Sequence, residues 1–245
     1  MLYGKGRTDT EDQQERIKSF SLVDVLEPLA TEEIDWLTRR TPERTFQTGE
    51  MVYAAGDASE VVFLLLTGRI RLYGIAAGRE EFTFEVLQAG TLFGEASLAG
   101  RAHPEYAQAL EPSLVGQLHL NTFWQLVREN PEVNAKAMKL LVTRSCKDRS
   151  RMADLASKEV SARLASLILE LLQSEGVVTR EGHYRIEALY THEHFATMIG
   201  AKRVSVTRVF KKLQKNGCVQ LLRRQVYVTD LATLSRLAVE GQFSE

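Results

Sequence analysis

The chain contains the stretch Thr191-His-Glu-His-Phe-Ala-Thr-Met-Ile-Gly200-Ala-Lys-Arg-Val-Ser-Val-Thr-Arg-Val-Phe-Lys-Lys-Leu-Gln-Lys-Asn-Gly217, which predicts two short helices joined by a tight turn. Thr191 is a favourable N-cap for the first helix, and Gly200 suits the turn. In the second helix, four apolar residues keep helical spacing until Asn216-Gly217 ends it. These residues are Val206, Val209, Phe210 and Leu213. Two short helices around a glycine turn indicate a helix-turn-helix motif.

The charge pattern around this motif points to a polyanionic partner. No Asp or Glu occurs between His194 and Asp230, although the whole chain has a formal net charge of −1. The eight basic residues in that interval are Lys202, Arg203, Arg208, Lys211, Lys212, Lys215, Arg223 and Arg224. Positive charge laid over a helical pattern is typical of nucleic-acid binding, whereas charge alone is also compatible with a solvated basic surface.

The motif predicts which residues touch DNA. In a helix-turn-helix, the N-terminal residues of the second helix reach base edges in the major groove. Base contacts are therefore predicted for Arg203, Val204, Ser205, Thr207 and Arg208. The two arginines can bind guanine in a bidentate way. Residues 218–229 predict two strands around a basic turn, which would form a wing. Phosphate contacts are predicted for Thr191, His192, Lys202, Lys211, Arg223 and Arg224.

Composition narrows the class of protein. At 245 residues the chain has ample material for a core, and it contains no long apolar run and no secretory segment. Cys146 and Cys218 are too few for a disulfide framework or a cysteine-ligated cluster, so the cytoplasm is the expected compartment. No nucleophile–base set, phosphate loop or metal-ligand spacing occurs, and no catalytic residue, metal or cofactor is predicted.

The N-terminal part of the chain has a different pattern. Residues 1–20 are polar and predict a flexible segment that is frayed or weakly helical, and residues 20–37 predict one or two short helices. Short apolar runs divided by glycine then predict a small antiparallel barrel or jelly roll. These runs are 51–54, 61–66, 70–75, 81–87, 106–110 and 114–120. A helix capped by Asn121 follows, and Pro131 opens a long helix.

The long helix, residues 131–157, carries a seam whose steps alternate between four and three residues, as a parallel coiled-coil pair requires. The seam consists of Asn134, Met138, Leu141, Ser145, Asp148, Met152 and Leu155. The predicted dimer interface consists of Met138, Leu141, Ser145, Met152 and Leu155. A helix-turn-helix protein commonly reads two half-sites by two-fold symmetry, which favours a homodimer over a helix packed on its own barrel.

Nearly all of the chain past residue 20 resembles the cyclic-AMP receptor protein/fumarate-nitrate regulator superfamily of bacterial transcription factors. Besides the helix-turn-helix, the resemblance rests on segments 65–73, 90–98 and 159–164. It implies an α+β protein with a cyclic-nucleotide-binding-type β-roll (21–130), a dimerisation helix (131–157) and a C-terminal winged helix-turn-helix (158–245). It also implies that an effector, where one exists, reorients the DNA-reading helices.

The resemblance places a candidate effector pocket at Gly94, Glu95, Tyr106, Arg144, Asp148 and Arg149. Members that respond to cyclic AMP have Arg-Ser or Arg-Thr where this chain has Glu105-Tyr106, and a carboxylate there repels a cyclic phosphate. Their Thr-Ser on the dimer helix corresponds to Asp148-Arg149. The sequence therefore predicts that cyclic AMP is not the effector. The pattern also lacks the N-terminal cysteines of the oxygen-sensing members. His103 is more typical of a loop residue than of a haem ligand, and Cys146 of a buried structural thiol than of a redox-active one.

The DNA-reading helix is similar to that of the cyanobacterial global nitrogen regulators. Valine at position 204 cannot accept from cytosine N4, as the glutamate of the cyclic-AMP receptor protein can, and instead contacts a thymine methyl. A GTA-type half-site is expected rather than TGTGA. Arg144 matches an arginine of the 2-oxoglutarate site in those regulators, but Arg149 replaces their glutamate. Both a ligand-gated protein responding to 2-oxoglutarate or another small anion and an effector-independent factor fit the sequence.

Together these features predict a homodimeric, sequence-specific regulator that binds a palindromic promoter site. Segment Glu175–Gly182 resembles the surface that family activators present to RNA polymerase, so activation is the expected effect. A cyclic-nucleotide-domain adaptor without a DNA role is the alternative from another class, but it would not need the acid-free basic motif. No membrane contact is expected.

Overall fold

The computed structural model describes residues 9–76, 78–223 and 225–241. The chain divides into two compact units. The first comprises Met1–Gly74 with Phe84–Ser145, and the second comprises Ile75–Thr83 with Cys146–Glu245.

The first unit is built around two four-stranded antiparallel sheets. The strands are β1 (Glu43–Phe46), β2 (Met51–Tyr53), β3 (Val61–Thr67), β4 (Arg69–Ile75), β5 (Glu81–Gln88), β6 (Thr91–Phe93), β7 (Tyr106–Ala109) and β8 (Ser113–His119). One sheet has the order β1-β8-β3-β6, and the other has the order β2-β7-β4-β5. The predicted β-roll is therefore confirmed.

Strand β3 shows why this sequence makes two cores. Side chains alternate between the two faces of a strand. Phe63 and Leu65 lie in the core formed by strands of both sheets, while Val62 and Leu64 lie in a second core formed with the flanking helices. Because both faces of β3 are covered, its sequence is a continuous apolar run rather than an alternating one.

The second core is closed by helices that flank the sheets. They are α1 (Asp9–Ser21), a 3₁₀ helix (Asp24–Leu26), α2 (Thr31–Thr38), α3 (Leu120–Glu129) and the first turns of α4 (Pro131–Ser157). Their buried members include Phe20, Leu37, Phe123 and Val133. Pro131 is the first residue of α4, which suits its missing N–H and fixed φ.

Residues 9–20 belong to α1, in agreement with the helical alternative, and there Arg16 forms an ion pair with Glu43 and Gln13 donates to Asp35 at 2.8 Å. Two other local predictions need correction. Strands β1 and β6 lie outside the predicted apolar runs. Helix α3 starts at Leu120 without a side-chain cap from Asn121, because β8 runs directly into it and the Leu120 N–H donates to the Glu60 carbonyl at 2.8 Å.

The second unit contains α5 (Val160–Glu175), β9 (Gly176–Val178), β10 (Tyr184–Ile186), α6 (His192–Ile199), α7 (Arg203–Lys215), β11 (Val219–Leu222), β12 (Gln225–Val228) and α8 (Leu231–Glu240). Its sheet has the order β11-β12-β10-β9. Helices α6, α7 and α8 all contact α5. Every helix within the described ranges is too short or too polar to cross a membrane.

Candidate nucleic-acid interface

Helices α6 and α7 form the predicted helix-turn-helix. The Thr191 side chain accepts from the His194 N–H at 3.1 Å, which caps α6. Gly200 ends α6 with a φ of +60°, a conformation that side-chain-bearing residues rarely adopt. Helix α7 then starts at Arg203. The turn therefore depends on a glycine, as the sequence predicts.

Aromatic packing fixes how α7 is rotated about its axis. Phe210 is fully buried and meets the Phe195 ring edge to face at a centroid distance of 5.0 Å. The His192 ring stacks on Phe210 at 5.0 Å with an interplanar angle of 9°. Val206 and Leu213 are also fully buried on this face. The opposite face of α7 must therefore point to solvent.

The outward face carries the residues predicted to read DNA. Arg203, Val204 and Arg208 are exposed, and Ser205 and Thr207 are half-buried. Val204 has 61% of its surface exposed, so its apolar side chain is available for contact with a partner. Lys202 and Lys211 are exposed on the same helix region.

The basic residues of this surface lack acidic partners. Among the described residues, no salt bridge involves any of the seven described cations of the acid-free interval. These cations are Lys202, Arg203, Arg208, Lys211, Lys212, Lys215 and Arg223. Elsewhere in the same unit several cations are paired with carboxylates: Lys147 and Arg151 with Glu170, and Lys158 with Asp154. The positive surface is thus uncompensated within the protein.

The start of α7 adds to this positive potential. A helix N-terminus carries a partial positive charge and is normally stabilised by a carboxylate or a capping side chain. Here the N-cap Lys202 makes no capping hydrogen bond, and the first turn contains no acidic residue. Peptide N–H groups beside two cationic side chains form a site suited to an external anion.

The wing is present as predicted. Strands β11 and β12 pair antiparallel, with Leu222 opposite Gln225. The turn between them holds Arg223, which is exposed and has a φ of +51°. That φ is uncommon for a residue with a side chain and indicates a tight two-residue turn. Arg224 lies outside the described residues. Strands β9 and β10, which extend this sheet, were not predicted.

His192 and Thr207, which are both predicted to contact DNA, also form a hydrogen bond with each other. The Thr207 hydroxyl donates to the Arg203 carbonyl at 2.9 Å and lies 2.9 Å from His192 Nδ1. Burial lowers the pKa of His192, and the charge of Arg203 adds to that effect. This contact between α6 and α7 was not visible in the sequence, because the two residues are 15 positions apart and neither belongs to a periodic pattern.

The candidate effector residues of the first unit form an ion-pair network. Arg144 Nη1 donates to both carboxylate oxygens of Glu95 at 3.1 Å, and Arg144 Nε lies 3.2 Å from Glu85 Oε2. Only 11% of the Arg144 side chain is exposed. Glu85 is a member that sequence reasoning missed. Opposite charges this close in a partly buried site hold each other strongly.

A second pair lies beside this network. The Tyr53 hydroxyl donates to Glu105 Oε1 at 2.8 Å. Burial raises the pKa of the Glu105 carboxyl, and the charge of Glu95 raises it further. His103 is almost fully buried and stacks on Tyr53 at 3.8 Å. Burial lowers the pKa of His103, and within the described part of the chain neither of its ring nitrogens has a hydrogen-bond partner.

The remaining effector candidates have separate surroundings. Gly94 has a φ of +76°, and an added Cβ would lie 2.7 Å from the Phe63 ring, so glycine is required there. Tyr106 stacks on Tyr73 at 5.2 Å. Asp148 and Arg149 are exposed on α4. The structure thus joins Glu95 and Arg144 directly, whereas no hydrogen bond or salt bridge among the described residues joins the other four candidates to them.

Helix α4 leaves a row of apolar side chains uncovered. Met138, Met152 and Leu155 have 55%, 60% and 40% of their surfaces exposed, and Ser145 is exposed as well. Leu141 is half-buried. Cys146 is exposed, so the prediction of a buried thiol at this position is wrong. Val142, which the heptad seam did not include, is 56% exposed and adds to the row.

Within the described residues no group of three His, Cys, Asp or Glu side chains is arranged to hold a metal ion.

Comparison with known proteins gives two domain matches and several relatives. The Cyclic nucleotide-binding domain matches residues 43–130, and the Crp-like helix-turn-helix domain matches residues 162–237. The Cyclic AMP receptor protein of Thermus thermophilus is 30% identical over 212 residues, which cover 86% of this chain and 94% of that protein. The Global nitrogen regulator of Nostoc sp. is 28% identical over 195 residues, or 78% and 87% of the two chains.

Among solved structures, a transcriptional regulator of the CRP family from Thermus thermophilus is 25% identical. It superimposes with a TM-score of 0.67 over 82% of this chain and 98% of that one. The order of the matched domains agrees with the β-roll, the long helix and the winged helix described above. The chain therefore belongs to the cyclic-AMP receptor protein/fumarate-nitrate regulator superfamily of DNA-binding transcription regulators and not to a family of enzymes.

Proposed function

We propose that the protein is a homodimeric transcription activator that binds a palindromic promoter site through α7 and does not depend on cyclic AMP. The observation that carries the DNA-binding part is the unpaired basic face of α7, which begins at an uncapped, acid-free N-terminus. Acidic residues that the structure describes do not neutralise the positive charges of this face, and a bound polyanion would neutralise them. A regulator of this kind acts where the chromosome is, which supports a cytoplasmic location.

Within this face we assign two kinds of contact. Arg203 and Arg208 read guanines, and Val204 contacts a thymine methyl, with Ser205 and Thr207 tuning the site. The phosphate contacts are Thr191, His192, Lys202, Lys211, Arg223 and Arg224. An exposed valine without a hydrogen-bonding group supports a GTA-type half-site rather than TGTGA.

Two matched substitutions separate base reading from phosphate binding. On a duplex with GTA-type half-sites, Arg203→Ala is expected to cost about 1–3 kcal/mol and to relax the preference at one base pair. Lys211→Ala is expected to weaken binding to all duplexes alike and to reduce the salt dependence. Anisotropy titrations over a salt series measure both. Equal effects of the two variants on sequence preference would contradict the assignment.

The exposed apolar row of α4 supports the homodimer. Met138, Val142 and Met152 are long or branched apolar side chains on a mostly polar helix, and a second copy of α4 would cover them. Burial of apolar surface contributes about 25 cal/mol per Å², so several such side chains per chain favour association. Polar residues at the centre of the row, such as Ser145, weaken packing there but fix the register of a helix pair.

Placing a charge in this row tests the dimer. Met152→Asp is expected to shift the protein toward the monomer, because two buried carboxylates would face each other. Val239→Asp on α8 is the control, since Val239 is 81% exposed and lies outside the row. Sedimentation velocity gives the populations. A Met152→Asp protein that stays as dimeric as the control would show that α4 is not the interface.

The ion pairs of the first unit support independence from cyclic AMP. Arg144 is held by Glu95 and Glu85, and the carboxyl of Glu105 stands where a phosphate-binding arginine is found in cyclic-AMP-responsive relatives. An anionic ligand would have to displace two carboxylates from Arg144. The alternative, gating by 2-oxoglutarate or another small anion, therefore requires an exchange of these ion pairs. An adaptor without a DNA role is disfavoured by the helix-turn-helix match.

The hairpin β9–β10 supports contact with RNA polymerase. Segment Glu175–Gly182 contains the first strand and the start of a turn closed by the Thr179 N–H, which donates to the His183 carbonyl at 2.8 Å. Arg180 and Glu181 are exposed at this turn, so they can meet a partner without disturbing the winged helix.

Charge reversal at the turn tests this contact. Arg180→Glu with Glu181→Lys is expected to lower transcription in vitro about tenfold while leaving DNA affinity unchanged, since one lost charged contact is worth about 1.5 kcal/mol or more. Glu240→Lys on α8 is the control at another exposed position. Loss of DNA binding together with transcription would overturn the proposed role of the hairpin.

A further inference from the structure

We propose that His192 binds a DNA phosphate only as an imidazolium, so that each protomer takes up one proton when it binds DNA. The proposal rests on the DNA-binding function proposed above and specifies the chemistry of one of its contacts. It makes the affinity for DNA depend on pH through a single side chain of the helix-turn-helix.

Two contacts hold the His192 ring in a defined orientation. The ring stacks on Phe210 with an interplanar angle of 9°, which sets its plane. Nδ1 lies 2.9 Å from the Thr207 hydroxyl, which sets its rotation within that plane. Nε2 is at the opposite edge of the ring. Among the residues that the structure describes, none binds Nε2, which leaves it available to an external group.

The Thr207 hydroxyl determines which nitrogen carries the proton. This hydroxyl lies 2.9 Å from the Arg203 carbonyl, and a carbonyl oxygen can only accept. The hydroxyl proton is therefore directed at Arg203, as is common for threonine within a helix. The Thr207 oxygen must then accept from His192, so the neutral ring carries its proton on Nδ1 and presents a lone pair at Nε2.

A lone pair at Nε2 cannot bind a phosphate oxygen, because both groups are acceptors. Only a second proton converts Nε2 into a donor, and the resulting contact is charge-assisted. Arg203 is the charged group that acts on the ring from α7, and Glu193 is the next residue on α6. A phosphate placed between the ring and Arg203 would offset the repulsion between the two cations.

The direction of the pH effect follows from this geometry. In the free protein, burial and the charge of Arg203 lower the pKa of His192. A bound phosphate raises the pKa, because it favours the charged ring. Affinity for DNA therefore increases as the pH falls from the pKa of the complex to that of the free protein. Outside this interval the affinity no longer depends on His192.

Anisotropy titrations from about pH 8 to about pH 5.5 at constant ionic strength test the proposal. The probes are a labelled duplex with GTA-type half-sites and a mixed-sequence duplex of the same length. For the wild type, Kd is expected to fall about tenfold per protomer across this range. Circular dichroism at each pH verifies that the protein remains folded.

Three variants assign the effect to His192. His192→Lys is charged throughout and His192→Gln is a neutral donor throughout, so both are expected to bind without this pH dependence. His183→Gln, a second histidine of the same unit, is the matched control and should keep the wild-type slope.

Two results would overturn the proposal. One is a His192→Gln protein with the same pH slope as the wild type. The other is ¹⁵N nuclear magnetic resonance showing that the neutral His192 ring carries its proton on Nε2. Sequence-specific binding that does not depend on pH would contradict the proposed proton uptake, whereas the proposed DNA-binding function would stand. Failure to bind either duplex at any pH would contradict both the proton uptake and the DNA-binding function.

Discussion

Burial of Phe210 is the constraint on which the DNA-reading surface depends. Phe210 meets Phe195 on one side and His192 on another, so α7 has one stable rotation relative to α6. Because that rotation buries Val206 and Leu213, it exposes Arg203 and the other basic residues together. Helix packing of this kind contributes several kcal/mol, more than the repulsion among exposed cations in water. The packing of α7 thus keeps its basic side chains close together, an arrangement that their mutual repulsion would disfavour in an isolated helix.

In the first unit, by contrast with α7, charged side chains are paired with one another. Arg144 forms ion pairs with Glu95 and Glu85 in a partly buried site, and Glu105 accepts a hydrogen bond from the Tyr53 hydroxyl. A buried ion pair is worth little as net stability, but removing one partner is costly. A ligand that binds Arg144 would therefore have to break these ion pairs.

The helix-turn-helix could be predicted from the sequence because its signals are local. Thr191, Gly200 and the apolar spacing of α7 act within a few residues of the structure they determine. Strand β6 has only three residues, too few to show alternation, so the prediction missed it. Helix α1 has Ile17 and Phe20 as its apolar side chains, so the sequence indicates a helix there only weakly. The Arg144–Glu95 and His192–Thr207 contacts join distant positions, and no periodic pattern records them.

Selection of bound duplexes from a random pool, at fixed salt with and without cyclic AMP, tests whether the protein is a two-fold symmetric DNA reader whose active state needs no cyclic AMP. One palindrome with GTA-type half-sites, about one helical turn apart, is expected to be enriched equally in both conditions. Enrichment only with cyclic AMP, or enrichment of a single unpaired half-site, would contradict it.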